Sequence, residues 1–270
     1  IYNQFILILL NEKNEMNFSS SDASVQSLIS ALWKARETGQ PVGDDVASQF
    51  DPTAEEAYEV QAAVARVTGP VGGFKVANKP DAPRIMAPIF SQDIKTSPAM
   101  IDVPRDEEIG IELEVGFRIE KPLPDKEAPD RRDAIARCLS VLPVIEIVRT
   151  RLPMNANPGL KLADNQINGG LVVGAPVAEW QAVSLGPVRA ELAFGDEQIL
   201  SGKAAVPGGN AFENFLVLEE MLGDHCGGLQ PGQIVITGSL NGLPYVHAGI
   251  DVRGSIDGLG QVSLRLKAAR

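Results

Sequence analysis

Apolar residues recur at helical spacing near the start of the chain and at alternating, strand-like spacing from residue 71 onward. Over 22–38, Val25, Leu28, Ile29, Leu32 and Trp33 follow i, i+3, i+4, i+7, i+8, with Asp22 placed to cap and Gly39 to stop. A second helix is predicted from Thr53 to Val67. Thr53 and Glu56, after Pro52, form a capping-box pattern, and Ala57, Val60, Val64 and Val67 share one face. Residues 41–51 link the two helices.

Beyond Val71, strands are predicted at 71–77, 111–119, 141–149, 170–174, 188–195, 198–200, 233–237 and 260–267, with Gly, Pro and Asn at many junctions. Gly195-Asp196 between two of them signals a hairpin. Helices interrupt the strands at 129–139 and 211–223, the second with Asn210 and Glu213 as a cap pattern. Strands outnumber helices and do not alternate with them, which predicts an α+β fold, a mixed β-sheet or sandwich with an N-terminal helical region, rather than a Rossmann fold. Consistent with that, no GxGxxG and no P-loop pattern occurs. The change of character divides the chain into an N-terminal extension and helical region, 1–70, and a β-rich domain, 71–270, that carries the candidate chemistry.

Composition narrows the partners. With 24 Lys+Arg against 35 Asp+Glu, the net charge is −11 and no basic run stands out. Nucleic acid and an anionic membrane surface are therefore not expected as partners. Anionic small molecules remain open, because a bound cation inverts the local field. Cys138 and Cys226 stand in no metal-ligand spacing and read as free thiols of a reducing compartment, the cytoplasm. The adjacent His225 and Cys226 have only His247 as a further imidazole, too few for a zinc site. The apolar run Ile1–Leu10 is too short to span a membrane and lacks a basic leader region. Residues 1–15, ahead of Met16, are read as an upstream extension.

The candidate chemistry is acidic. In Ile111–Ile119, IELEVGFRI, the odd positions are apolar and form the core face, so Glu112 and Glu114 point together to the other face. Their Cα atoms are then roughly 6–7 Å apart. Such carboxylates repel unless water or a cation intervenes, and Mg²⁺ or Mn²⁺ suits hard oxygen ligands. A solvated outer face of an amphipathic strand is the alternative. Glu146 interrupts the apolar strand VLPVIEIV, and a carboxylate there needs a cation, dense hydrogen bonding or a raised pKa. Arg149 or Arg151 is one candidate cation; a metal shared with Glu112 and Glu114 explains all three acids at once. Lys75, in the strand after Gly72-Gly73, reads as a solvated edge charge or, beside a metal, as a group that holds a substrate carboxylate or donates a proton. Asp164, Asn165 and Ser239 sit in turn-like stretches where Gly169, Gly170 and Gly238 would let backbone approach a ligand.

Taken in order, GFKVA (73–77), IELEVGF (111–117), PVIEIVRTR (143–151), LADNQINGGLVVG (162–174) and GLQPGQIVITGSL (228–240) resemble the 2-keto-4-pentenoate hydratase and 4-oxalocrotonate decarboxylase family of the fumarylacetoacetate hydrolase superfamily. The resemblance covers roughly residues 22 to 267. It implies a β-sandwich or roll of that superfamily, Glu112, Glu114 and Glu146 on the metal-ligand positions, Lys75 on the active-site lysine and Asp93 in FSQDI as the nearest match to a further catalytic acid. It also implies Asp164, Asn165 and Ser239 at the substrate, a 2-oxo or 2-hydroxy acid, and a homo-oligomer. Glutamate rather than aspartate as third ligand favours the lyases over the C–C hydrolases. The expected activity is hydration of a 2-hydroxy-2,4-dienoate in aromatic-compound catabolism. A 2-oxo-3-enedioate decarboxylase, an acylpyruvate-type hydrolase and a non-catalytic partner subunit are the alternatives. Two departures bear on substrate and reaction: Arg149 stands where the family often has an acid, and Gln166-Ile167 where it often has a small polar residue.

Overall fold

The computed structural model describes residues 23–269. The apolar run at 1–10, residues 1–15 as a whole and the Asp22 cap lie outside them. Helix α1 (Ala23–Thr38) buries Val25, Leu28, Ile29, Leu32 and Ala35, so Ala35 rather than Trp33 completes its inner face. A single turn, α2 (Asp44–Ala47), interrupts the linker. Helix α3 (Ala54–Thr68) starts on the expected capping box: Glu56 N donates to Thr53 Oγ1 at 3.2 Å, and Thr53 N donates to Glu56 Oε2 at 2.7 Å. Such a cap contributes about 1 kcal/mol.

The strands then follow as β1 (Val71–Ala77), β2 (Ile85–Phe90), β3 (Ile94–Thr96), β4 (Ala99–Val103) and β5 (Ile109–Ile119). After α4 (Arg131–Ala136) come β6 (Leu139–Val148), α5 (Pro158–Ala163), β7 (Asn168–Val173), β8 (Val188–Phe194) and β9 (Glu197–Ala204). Helix α6 (Ala211–Leu222) precedes β10 (Ile234–Ser239), β11 (Tyr245–Val246), β12 (Asp251–Ile256) and β13 (Gly260–Ala268). Among the described residues one sheet has eight strands, ordered β2-β1-β10-β5-β6-β7-β3 with β11 added beside β5; the other has five, ordered β4-β13-β12-β8-β9. The fold class is α+β, as expected, and the larger sheet is mixed, because β1 runs parallel to β10 and β3 to β7.

Several elements differ from the pattern reading. The helix expected over 129–139 is only Arg131–Ala136, since Leu139 already pairs in β6. The strand expected at 198–200 runs from Glu197 to Ala204. Strands β2, β3, β4, β11 and β12 were not anticipated. β2 carries Pro88 and β12 carries Gly254, which blur the period, and β3 and β11 are too short to show one. The hairpin at Gly195-Asp196 is present, joining β8 to β9, and Asn210 caps α6 by accepting from Phe212 N at 2.8 Å.

Packing divides the larger sheet into two chemically different faces. Ile111, Leu113, Val115 and Phe117 of β5, with Ile145 and Ile147 of β6, face the main core, which Leu192, Val252, Val262 and the α6 residues Phe212, Phe215 and Leu218 complete. Alternation sends the even positions the other way. There a small cluster of Ile89, Leu142, Val144, Leu171, Ile234 and Ile236 supplies apolar filling. β6 is buried at every position, which is why its sequence is a continuous apolar run. Helices α1 and α3 pack with Leu160, Leu162 and Ala163 of α5 in a separate cluster, and so hold the chain that follows α5 against the sheet.

Candidate metal and substrate site

Strand register assembles the acids. Antiparallel pairing of β5 with β6 sets Glu112 opposite Glu146, and a register shift beyond Ile236 sets Ser239 of β10 opposite Glu114. Carboxylate oxygens of Glu112, Glu114 and Glu146 lie within 4.8 Å of one another. Glu114 and Glu146 are 2% and 0% exposed, so the solvated-face alternative does not hold. Gly238 N donates to Glu114 Oε2 at 2.6 Å.

Lys75 supplies the cation for Glu146. β1 lies inside the sheet between β2 and β10, and the Lys75 ammonium donates to Glu146 Oε1 at 2.6 Å with its side chain 11% exposed. The edge-charge reading of Lys75 is therefore corrected, and so is the choice of Arg149 or Arg151 as the partner of Glu146. Arg149 forms a two-pronged pair with Glu107, at 2.6 and 2.8 Å, and Arg151 pairs with Asp164 at 2.6 Å. Asn168 Nδ2 also donates to Glu146 Oε1, at 2.7 Å, whereas the buried Glu146 Oε2 has no hydrogen-bond partner among the described residues.

The electrostatics follow from this crowding. Burial, then Glu146, push the Glu112 carboxyl up to about 7 against the opposing pull of Lys75. Burial, then Glu146 and Glu112, hold Glu114 well above the usual carboxylate range. Burial pulls the Lys75 ammonium down, but Glu146, Glu112 and Glu114 outweigh it and the net shift is upward. Three acids share one ammonium, and an acceptor oxygen is left over. A hard divalent cation fits this donor set: it would neutralise the excess charge and occupy the unpartnered lone pairs.

A carboxyl with a raised pKa takes up protons on folding, so stability falls as pH rises from the ordinary carboxylate value toward about 7. The metal-free protein is accordingly expected to melt at a higher temperature at pH 5 than at pH 7.5. Glu112→Gln is expected to raise the melting temperature at pH 7.5 and shrink that difference. A difference that the substitution leaves untouched, measured by calorimetry, would contradict the assignment.

The turn between α5 and β7 roofs the site. Asn165, Gln166 and Ile167 all take left-handed backbone, with φ of 52°, 50° and 55°. Such conformations cost about 1–3 kcal/mol per non-glycine residue and persist where surroundings fix them. Asp164 does the fixing: Arg151 Nε donates to its Oδ1 at 2.6 Å and Arg151 N to its Oδ2 at 3.0 Å, while Arg151 Nη1 donates to Asn168 O at 2.7 Å. With both oxygens engaged, Asp164 positions the turn rather than facing a ligand. The turn brings Gln166 O to 3.4 Å from the Lys75 ammonium and leaves Asn165 Oδ1 and Gln166 Nε2 buried without hydrogen-bond partners among the described residues. Ser239 Oγ donates to Gly242 O at 2.6 Å and lies close enough to Glu112 to lower its pKa.

Asp93 is not part of the acid cluster. It ends the turn Ser91–Asp93, and its carboxylate has no hydrogen-bond or ion-pair partner among the described residues. Burial raises its pKa, against Arg36, Arg151 and Lys95. It lines a cavity of about 720 Å³ together with Arg36, Arg151, Gly169 and Tyr245. His225 contacts Gln61 and Cys226, His247 faces Glu108, and neither touches the three carboxylates. Both cysteines are free, and burial pushes Cys226 up to about 12. Pattern reasoning missed Asn168, Arg36 and Tyr245. Asn168 follows three residues that break every periodicity, and the other two have no local signal beyond an ordinary helix surface and a strand too short to show a period.

No family model matches the chain. The 2-keto-4-pentenoate hydratase 1 of Dechloromonas aromatica (strain RCB) is 32% identical over 158 residues, 57% of this chain and 58% of that protein. Hydratase 2 of the same organism is 31% identical over the same shares, so the chain spans about 58% of the length of these curated relatives. Among solved structures, 4-oxalocrotonate decarboxylase from Pseudomonas putida G7 superposes with a TM-score of 0.78 over 93% of this chain and 100% of that one, at 18% identity. The fold is that of the oxalocrotonate decarboxylase. The decarboxylase was solved with magnesium and adipate and with calcium and acetate. Fumarylpyruvate hydrolase from Pseudomonas aeruginosa, solved with Mn²⁺ and pyruvate, is more distant, with a TM-score of 0.54, 16% identity and 73% of this chain covered. The hydratase and decarboxylase matches agree with the resemblance carried by the motifs. Among the described residues no helix is long and apolar enough to cross a membrane.

Proposed function

We propose that this chain is a metal-dependent hydro-lyase that adds water to a 2-hydroxy-2,4-dienoate to give a 4-hydroxy-2-oxo acid. The observation that carries it is the convergence of Glu112, Glu114 and Glu146 with, among the described residues, only Lys75 paired against them. The similarity to two hydratases supports the reaction. Mg²⁺ or Mn²⁺ held by the three glutamates would supply a Lewis acid that stabilises negative charge on the 2-oxygen of the substrate.

The protein's own groups account for the rest. The Lys75 ammonium, which donates to Glu146 Oε1 and Gln166 O, pairs with the substrate carboxylate or passes a proton at Nζ in this reading. Asn165 Oδ1 and Gln166 Nε2, buried and unpartnered, offer an acceptor and a donor to an oxygen-rich ligand. Asp93, unpartnered and with a raised pKa in the adjoining cavity, is the group suited to give and take a proton along the carbon chain. Overall, the enol proton leaves the 2-oxygen and C5 gains one; water then gives its hydroxyl to C4 and a proton to C3. A homo-oligomer is part of the same proposal.

The test is an ultraviolet assay with 2-hydroxypenta-2,4-dienoate and its terminally carboxylated analogue, with Mg²⁺, with Mn²⁺ and with EDTA. Metal-dependent loss of diene absorbance, with the hydrated product found by mass, is expected. Release of CO₂ from a 2-oxo-3-enedioate instead would assign the decarboxylase reaction. Absence of any turnover beside metal-dependent oxalate binding would assign a non-catalytic subunit.

A further inference from the structure

The ladder beside β5 breaks just where Glu112 sits. β10 pairs as far as Ser239, opposite Glu114, and pairing resumes in β11 at Tyr245, opposite Gly110. Residues 240–244 therefore pass the stretch of β5 that carries Glu112. Carrying each register one residue inward sets Leu240 opposite Leu113 and Pro244 opposite Ile111. Backbone makes only half of each pair: Leu240 N donates to Leu113 O at 2.9 Å, and Ile111 N donates to Pro244 O at 3.0 Å. In a regular antiparallel ladder the partner returns a second bond. Pro244 has no N–H with which to return one.

A single side chain supplies both missing halves. Asn241 Oδ1 accepts from Leu113 N at 2.7 Å, and Asn241 Nδ2 donates to Ile111 O at 3.0 Å. The amide thus stands in for a peptide group of the ladder, and the backbone groups it satisfies lie on either side of Glu112. Asn241 N also donates at 3.3 Å to Ser239 Oγ, the hydroxyl close enough to Glu112 to lower its pKa. The loop is pressed against the strand here: a Cβ on Gly110, which shares a face with Glu112, would meet Leu243 Cδ1 at 2.6 Å.

The three acids are unequally supported. Glu114 is gripped by Gly238 N, and Glu146 by Lys75 and Asn168. Glu112, only partly buried, takes its place from the strand that carries it. We propose that Asn241 is a positioning residue for Glu112: by closing the ladder on both sides, its amide holds the strand so that the Glu112 carboxylate meets those of Glu114 and Glu146. The inference rests on the metal-site reading for what the three carboxylates hold. An alkyl side chain at 241 would leave Leu113 N and Ile111 O without these partners, and the strand would loosen on both sides of the ligand.

The test combines calorimetric titration of the full chain with Mn²⁺ and amide hydrogen exchange of the metal-free protein. Asn241→Ala is expected to weaken Mn²⁺ binding about 10–100-fold, the loss typical of groups that orient a ligand. Exchange over 111–113 should become at least about tenfold faster. Adding Pro244→Ala to that variant returns an N–H opposite Ile111 O and should recover at least about threefold in affinity, one ladder bond's share. Pro244→Ala alone should leave affinity within about twofold of the parent, because Ile111 O is already taken. Thr53→Ala, which removes the α3 cap, should lower the melting temperature without changing Mn²⁺ affinity, so general destabilisation is told apart from positioning. Parental affinity in Asn241→Ala, or a loss that Pro244→Ala leaves unmended, would overturn the inference. Failure of the unaltered protein to bind Mn²⁺ would instead remove the metal reading. Exchange then decides the role of Asn241, and an unchanged rate over 111–113 in Asn241→Ala would overturn it.

Discussion

Glu114→Gln is expected to abolish Mg²⁺ and Mn²⁺ binding and to lower turnover by more than about 100-fold, beyond the loss typical of residues that only support metal ligands. Glu114 is 2% exposed, is fixed by Gly238 N at 2.6 Å and sits with its oxygens against those of Glu112 and Glu146. The amide keeps the shape and the hydrogen bond from Gly238 but removes the negative charge that a hard cation requires. Calorimetry should show no metal binding in the variant, whereas Glu197→Gln, on an exposed strand end, should bind as the parent does. Because the mutual repulsion of the acids is relieved, the metal-free variant should melt at a higher temperature than the metal-free parent. Retention of metal affinity, together with a melting temperature unchanged or lowered, would remove Glu114 from the ligand set.

Lys75→Met should be the most damaging single change to the metal-free fold at neutral pH. The ammonium is within 2.6 Å of a carboxylate that is 0% exposed and is flanked by two more acids. Removing one partner of a buried pair costs about 3–5 kcal/mol, because the other charge stays buried and uncompensated. For a chain of this size each kcal/mol shifts the melting temperature by about 2–4 °C. A fall of roughly 6–20 °C at pH 7.5 is expected on that scale. The deficit should shrink at pH 5, where protonation of the acids replaces the missing cation, and should shrink again when Mg²⁺ is added. On the proposed function, in which Lys75 acts on the substrate, turnover should fall under every condition, since neither acid nor metal replaces the amine. A melting temperature within 2 °C or so of the parent at pH 7.5 would mean that Lys75 is not the cation on which the cluster relies.

The acids were legible in the chain because strand alternation is a local property. IELEVGFRI states its own two faces, and a lone glutamate in VLPVIEIV declares a buried charge without reference to anything else. Which cation answers that charge was not legible, since Lys75 reaches Glu146 only after β10 and β5 have been inserted between their strands. The nearer arginines in sequence were the natural guess, and both are taken by acids, Glu107 and Asp164, brought in by a loop and by the chain after α5. The helices were read well where caps and a clean period agree, as at Thr53 and Asn210. Short strands were lost where proline, glycine or sheer brevity erased the period.

The pairing of Glu112 with Glu146 also has a bearing on how errors are rejected. Alternation along β5 and β6 writes the apolar core and the acid cluster in the same reading frame, one on each side of the sheet. A slip of one residue would carry the glutamates into the hydrocarbon interior and turn Ile111, Leu113 and Ile145 toward the charges. In a frame shifted by one residue, core and site fail together. The site therefore acts as a checksum against such slips, and strands that gather the three carboxylates have also turned their apolar faces inward.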